Sequence, residues 1–181
     1  MPQVSIIILT YNSAKFIEDL IKSLQNFAQD SEIIIVDNAS KDETIKIANK
    51  FKNKVKIFET GENLGFAKGI NYGAKKAKGD YLLFINPDAV FKNGELKDMI
   101  KVFEENEKVG IVGGRLIGND GNSEKSAGKF FNIFETISII LGMDEALGVR
   151  FSPDKTSRVD FVSGGFMMVR SEVFSRLHGF D

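Results

Sequence analysis

The 181-residue sequence contains no cysteine and a single histidine, and that shortage narrows its chemistry at once. Without thiols there are no disulfides, no thiolate metal sites and no cysteine nucleophile, a composition suited to a reducing compartment. No apolar run reaches the ~18 residues a membrane-spanning helix needs. Met1-Pro2-Gln3 leads directly into an apolar segment without a basic leader. The chain therefore reads as soluble and cytoplasmic, with peripheral association at a membrane left open. Lysine and arginine are interspersed with acids and the formal charge is -1, which argues against nucleic acid as a partner. No Gly-Lys-Ser/Thr follows a glycine-rich turn, and the glycine spacing is not the dinucleotide fingerprint, so two common nucleotide-binding classes lose support.

What is present is 43% hydrophobic and 27% charged residues, enough for one globular domain with a sizeable core. In the first half, short apolar runs alternate with amphipathic stretches, the pattern of parallel strands buried between helices, so the fold class is α/β. Strands are expected at residues 4–9, 33–36, 55–58 and 81–85. Helical spacing places Phe16, Ile17, Leu20, Ile21 and Leu24 on one face, and a second helix is expected after Ser40, with Ser40 and Glu43 as a capping box. A glycine-rich turn and helix occupy 63–78, and a further helix 95–105. Beyond it a strand is expected at 109–113, a hairpin turn at 119–122, a strand at 166–169 and a short helix capped by Ser171. Residues 130–141 are unusually apolar, with Phe131, Phe134, Ile137, Ile140 and Leu141 roughly on one helical face, and burial in the core is expected there, with an exposed membrane or partner surface as the alternative.

The chemistry concentrates where strands end. In an open parallel sheet the loops after the strands gather along one edge, where ligands bind. That nominates Thr10, Tyr11 and Asn12 after the first strand, Asp37 and Asn38 after the second, and Asn86-Pro87-Asp88 after the fourth. Pro87 ends the strand and sets how Asp88 leaves the core, where a carboxylate must be solvated, hydrogen-bonded or metal-bound. Gly65, Gly69 and Gly73 recur every fourth residue, which is costly in a helix unless the backbone approaches something closely. Lys68, in the same segment, is placed to reach a phosphate.

With those residues in view, the sequence resembles the inverting glycosyltransferases of family 2, of GT-A fold, over nearly its whole length. Residues 4–12 look like the opening strand of that family, and Ile35-Val36-Asp37-Asn38-Ala39-Ser40-Lys41-Asp42-Glu43-Thr44 like its second motif. Residues 63–73 are similar to its third, Asn86-Pro87-Asp88 takes the place of its Asp-x-Asp metal motif, and residues 164–170 resemble the strand beside the acceptor site. The resemblance implies a Rossmann-like open mixed sheet, mostly parallel in its first half. It implies a single domain over 1–181, incomplete, with a nucleotide-sugar-binding half at 1–90 and a partial acceptor-side half at 91–181. Thr10, Tyr11 and Asp37 would surround the base of a nucleoside diphosphate sugar, with Asn12, Asn38, Gly65 and Lys68 around the nucleotide. Asp88 would hold Mg2+ or Mn2+ on the diphosphate, and Asn86, Gly164 and Gly165 would face the sugar or acceptor.

Two departures qualify that picture. Asn86 stands where many relatives carry Asp, a form that resembles the rhamnosyltransferase-like branch and points to a dTDP-sugar beside a UDP-sugar. The base of the family is an aspartate in a Glu-Asp pair after a Gly-Phe-Asp segment, here Gly179-Phe180-Asp181, so no catalytic residue is expected within the chain and the base is expected after Asp181. Asp181 itself, at an end expected to be mobile, is a poor substitute, and His178 is expected to be structural or solvent-facing. The expected function is inverting, metal-assisted transfer of a sugar from a UDP- or dTDP-linked donor to a saccharide or lipid-linked acceptor hydroxyl, relevant to polysaccharide biosynthesis. A non-catalytic nucleotide-sugar-binding module is the first alternative. A nucleotidyltransferase is the second, although Leu9-Thr10-Tyr11-Asn12 is not the glycine-rich basic loop that a triphosphate requires.

Overall fold

Continuous runs of apolar, mostly β-branched residues become the central strands, because a strand covered on both faces has no polar side. The computed structural model describes residues 3–91, 96–118, 120–130, 136, 140 and 150–181. Strands β1 (Val4–Thr10), β2 (Glu32–Asp37), β3 (Lys56–Glu59) and β4 (Tyr81–Ile85) alternate with helices α1 (Ile17–Phe27), α2 (Thr44–Asn49) and α3 (Gly65–Ala74), and α4 (Leu96–Glu105) follows. The shorter strands are β5 (Ile111–Gly113), β6 (Leu116–Ile117), β7 (Ser123–Glu124), β8 (Ala127–Gly128), β9 (Arg150–Phe151), β10 (Phe161–Val162) and β11 (Phe166–Arg170), with α5 (Ser171–Arg176) last among the described residues. The main sheet has the order β3-β2-β1-β4-β11-β5, and the pairs β1–β2, β1–β4 and β2–β3 are parallel. This is the mostly parallel, helix-flanked sheet expected from the alternation of apolar runs.

The chain divides into two compact units, residues 1–112 with 168–181, and residues 113–167. In the first, Ile6, Ile7, Ile8, Leu20, Ile21, Leu24, Ile34 and Ile35 are fully buried between sheet and helices. Helix α3 lies against β1 and β2 because it lacks side chains where it meets them. A Cβ on Gly69 would come within 2.4 Å of Leu9 Cδ1, and one on Gly73 within 2.7 Å of Ile7 Cγ2 and 2.9 Å of Val36 Cγ2. The close approach inferred from the glycine spacing is therefore, at two of three positions, an approach to the sheet. The second unit contains the antiparallel β6–β7 hairpin and the antiparallel sheet β10-β8-β9. Asn119 of the expected turn lies outside the described residues, as does Glu95 of the expected fourth helix.

Two expected caps are not formed. Ser40 lies four residues before α2 and gives both its backbone N–H and its hydroxyl to Asp37. The entry to α2 is secured by Asp42 instead, whose Oδ1 accepts from Thr44 N at 3.0 Å. Burial works to raise the Asp42 pKa, and hydrogen bonds from the Thr44 hydroxyl and the Ala14 and Thr44 amides outweigh it, so the net shift is downward. Ser171 is the first residue of α5, not its cap, and its amide donates to Asp80 O at 2.9 Å. Phe130 and Ile140 are 75% and 78% exposed, against the burial expected for that segment. Phe131, Phe134, Ile137 and Leu141 lie outside the described residues.

The end of the first unit is held rather than loose. Asn71 Nδ2 donates to Phe180 O at 2.8 Å and Phe180 N donates to Asn71 Oδ1 at 2.9 Å. The Phe180 ring packs 5.5 Å from Phe84, 5.3 Å from Phe174 and 5.9 Å from Phe66. His178 is exposed, as expected, and its left-handed φ of 62° closes a Schellman turn in which Gly179 N donates to Phe174 O at 3.0 Å. Asp181 is exposed beside this anchored residue.

At the opposite edge of the sheet, Glu32 accepts from Ser5 Oγ at 2.6 Å and Lys78 N at 3.0 Å, and pairs with Lys56. Burial pushes its pKa up, and the hydrogen bonds from Lys56, Ser5 and Lys78 more than offset that, leaving it below the ordinary glutamate value. A carboxylate with a depressed folded pKa stabilises the fold above its unfolded pKa and ceases to do so as pH falls through the folded one. The urea-unfolding stability gap between wild type and Glu32→Gln is expected to be full near neutrality and to shrink below pH 4.5. At the other packing contact, Gly73→Ala meets two stiff β-branched side chains, so overpacking of ~1–3 kcal/mol exceeds the helix-propensity gain of ~1 kcal/mol. Gly69→Ala meets the flexible tip of Leu9, and its loss in the same urea titration is expected to be smaller.

Candidate donor site

Parallel pairing sets β1, β2 and β4 side by side, so their following loops open on the same edge. Thr10 is paired with Asp37, and Ile7 with Phe84, so residues 86–88 leave β4 as β1 reaches Leu9 to Tyr11. The structure thus brings together Thr10, Tyr11, Asn12, Asp37, Asn38 and the Asn86-Pro87-Asp88 loop, all within the first unit.

Asp37 is 1% exposed, an unusual place for a carboxylate. Its Oδ1 accepts from Thr10 Oγ1 at 2.8 Å and Ser40 Oγ at 2.5 Å, and its Oδ2 accepts from Ser40 N at 2.8 Å. A carboxylate offers about four acceptor positions, so these three bonds orient the group while leaving capacity on Oδ2. Ser40 reaches back because Ala39 adopts a left-handed φ of 64°, a conformation that costs a non-glycine residue about 1–2 kcal/mol. Asn12 is also left-handed, with φ 51°. It joins the two loops by donating from its N to Ser40 Oγ at 2.9 Å and accepting from Lys41 N at 2.8 Å. Tyr11 is 49% exposed, its ring free to lie against a flat ligand.

Residues 60–65 approach from the side of β3. Thr60 N donates to Asp37 O at 3.0 Å, and the side chain of Asn38, 3% exposed, bonds only to this segment among the described residues. Gly65 opens α3 with φ 76°, and a Cβ there would meet nothing within 4 Å. Glycine at this position answers the backbone angle, in contrast to the packing glycines 69 and 73. Lys68 is exposed on the same helix. Asn63 was not among the residues nominated from sequence. Its Oδ1 accepts from Asn38 Nδ2 and from Gly65 N, so its own NH2 has no partner among the described residues. The available signal was an asparagine two residues before a glycine that opens a helix.

Asn86 and Asp88 are exposed, and Ala89 N donates to Asn86 O at 3.2 Å, closing the turn that presents them. Among the described residues no hydrogen bond or ion pair occupies the Asp88 carboxylate, and no group of three or more acidic, histidine or cysteine residues forms a metal cage. One free carboxylate fits a hard cation that takes most of its ligands from a substrate and from water, as Mg2+ does on phosphates. Gly164 and Gly165 belong to the second unit, where they form the half-buried turn between β10 and β11.

The mostly parallel, helix-flanked sheet with polar loops gathered at one edge is a GT-A-like architecture, and comparison with known proteins agrees. The model of glycosyl transferase family 2 matches residues 5–177, so the chain belongs to that family. It is 35% identical over 112 residues to the poly(ribitol-phosphate) β-N-acetylglucosaminyltransferase TarS of Staphylococcus aureus, covering 58% of this chain and 19% of TarS. It is 26% identical over 192 residues to the O-antigen chain rhamnosyltransferase WbaN of Salmonella anatum, covering 99% of this chain and 56% of WbaN. The chain therefore spans only a fifth to about half of these relatives. Among solved structures, the fold matches the mannosyltransferase PcManGT of Pyrobaculum calidifontis, in complex with GDP-Man and Mn2+, with a TM-score of 0.71, 22% identity and coverage of 99% of this chain and 48% of that one. Residues 1–349 of TarS, solved with UDP-GlcNAc, match at a TM-score of 0.59 and 22% identity, and solved without it at 0.65 and 23%, covering 97% of this chain in both and 47% and 49% of that 1–349 chain.

The contrast among the three glycines can be measured directly. Gly65→Ala is expected to cost about 1 kcal/mol in urea unfolding, from its left-handed φ alone, with Gly65→Asn milder because asparagine tolerates that region.

Proposed function

We propose that the chain is the donor-binding part of a glycosyltransferase that moves a sugar from a UDP- or dTDP-linked donor to an acceptor hydroxyl, with inversion and with help from Mg2+ or Mn2+. The observation that carries this reading is the convergence of Thr10-Tyr11, Asp37 and Asn86-Pro87-Asp88 at the ends of three adjacent parallel strands. Asp37, oriented and with acceptor capacity left, suits an N–H of a pyrimidine base, and Tyr11 offers a face for its ring. Asn12 shapes the junction of the two loops, and Gly65 and Lys68 stand toward the phosphates. Asp88 would hold the cation, which neutralises charge building up on the leaving diphosphate. Asn86, Gly164 and Gly165 are proposed to meet the transferred sugar or the acceptor, with residues 1–90 as the donor half and 91–181 as part of the acceptor side.

The acceptor hydroxyl would attack the anomeric carbon opposite the diphosphate while a carboxylate removes its proton. The family resemblance assigns that base to a Glu-Asp pair following Gly-Phe-Asp, so none of the 181 residues is proposed for it. A saccharide or lipid-linked acceptor is compatible with this chemistry. Among the described residues no helix is long and apolar enough to cross a membrane.

Calorimetric titration of UDP- and dTDP-sugars tests the reading. Saturable binding is expected with at least one donor in the presence of Mn2+, and its absence at millimolar concentration of both overturns the proposal. Asp37→Asn is expected to weaken donor binding about tenfold, because an NH2 would face donors where an acceptor is needed. Asp88→Ala is expected to leave metal-free affinity near wild type and to remove the gain produced by Mn2+.

A further inference from the structure

Asn38 is nearly fully buried although it sits at the mouth of the nucleotide edge. Its Nδ2 donates to Asn63 Oδ1 at 2.8 Å and to Gly65 O at 3.3 Å. Its Oδ1 accepts from Leu64 N at 2.9 Å, while the Thr60 hydroxyl, 3.4 Å away, has a shorter acceptor in Glu62 O at 2.6 Å. An asparagine amide has two N–H donors and one oxygen with two lone pairs, so these bonds spend both donors and one of the two acceptor positions. No donor is left on the side chain for a ligand, and its burial at 3% exposure shields the oxygen. The backbone of the same residue continues the strand, since Asn38 N donates to Thr10 O at 2.8 Å.

We propose that Asn38 is a positioning residue rather than a contact residue: it latches residues 60–65 to the end of β2, so that the Gly65 turn and the start of α3 are held in register with Asp37. This rests on the donor-binding reading above and deepens it. The latch has a second anchor, because Thr60 N donates to Asp37 O at 3.0 Å. Residues 60–65 therefore close on Asp37, the last residue of β2, and on Asn38 directly after it. Without the Asn38 amide, the Leu64 N–H at the entry to α3 loses its acceptor, and residues 63–65 keep only the local bond from Gly65 N to Asn63 Oδ1 at 2.9 Å. The Asn63 side chain also loses the partner that orients it. An amide is required in particular. Aspartate would accept from Leu64 N but would set an ionised oxygen against two acceptors, Asn63 Oδ1 and Gly65 O, and alanine would satisfy neither side.

The test compares wild type, Asn38→Ala and Asn38→Asp in the full chain, using UDP with Mn2+ as the probe and hydrogen exchange at the Leu64 and Gly65 amides as a readout that needs no ligand. Asn38→Ala is expected to exchange these two amides faster and to bind UDP about tenfold more weakly, the loss of one net hydrogen bond converted to affinity. Asn38→Asp is expected to be at least as weak near pH 7. Its affinity relative to wild type at the same pH should then recover toward about pH 5 and below, as the carboxyl gains a proton to donate to Asn63 or Gly65. A general folding defect is not repaired by acid, so this recovery separates a lost latch from a lost fold even where Asn38→Ala is marginally stable. UDP affinity within twofold of wild type for Asn38→Ala, or unchanged exchange at Leu64 and Gly65, or an Asn38→Asp to wild-type ratio that is flat with pH, overturns the proposal. Failure of wild type to bind either UDP or dTDP with Mn2+, with faster exchange in the variant, overturns the donor reading and leaves the latch standing; where wild type binds dTDP alone, dTDP replaces UDP as the probe with the same outcomes.

Discussion

A carboxylate buried at the end of a parallel strand has to be surrounded by donors, and at Asp37 that requirement organises the surrounding loops. One donor, Thr10, comes from the neighbouring strand, which ties the group to the β1–β2 register. The other two come from Ser40, which can fold back only because Ala39 takes a left-handed conformation. A slip of one residue between the strands would send Thr10 to the other face of the sheet and leave the acid without its partner. The next residue, Asn38, repeats the constraint with an amide, and so the order established at the strand ends passes to residues 60–65.

Behind this polar edge the same elements are packed tightly, mainly through apolar side chains. Gly69 and Gly73 let α3 settle on Leu9, Ile7 and Val36, while Phe84 of β4 meets Phe174 and Phe180 at 5.1 and 5.5 Å. The strand that delivers Asn86-Pro87-Asp88 and the helix that begins at Gly65 therefore share one rigid base. Loops on such a base can hold strained residues at Asn12 and Ala39, because the packed core fixes where each loop begins and ends. Preorganised polar groups on a rigid scaffold are what recognition of an activated, highly charged donor demands.

Much of this was legible in the chain. Parallel strands buried on both faces leave nearly uninterrupted apolar runs, so β1, β2 and β4 stand out, and polar residues directly after them mark the edge where a ligand binds. The failures have a common cause. Ser40 with Glu43 has the spacing of a capping box, yet its hydroxyl is taken by an acid whose burial no local pattern reports. Ser171 meets Asp80, a residue distant in sequence, and so is drawn away from the cap position. The three glycines look alike in sequence, but Gly65 answers a backbone angle whereas Gly69 and Gly73 answer a neighbour. Asn63 and Asn71 lie within residues 63–73, but no local pattern marks their roles, which depend on partners 25 and 109 residues away.

The sequence by itself determined the α/β class, the family and the loops that carry the chemistry, because hydrophobic periodicity and short motifs are local properties. Only the tertiary structure decided which polar groups are spent on the fold and which remain for a ligand. Asp37 keeps acceptor capacity, Asp88 is free among the described residues, and Asn38 is buried with both of its amide donors spent. That division depends on three-dimensional proximity, since a hydrogen-bonding group has a fixed valence and only its neighbours in space show how much of it is already filled.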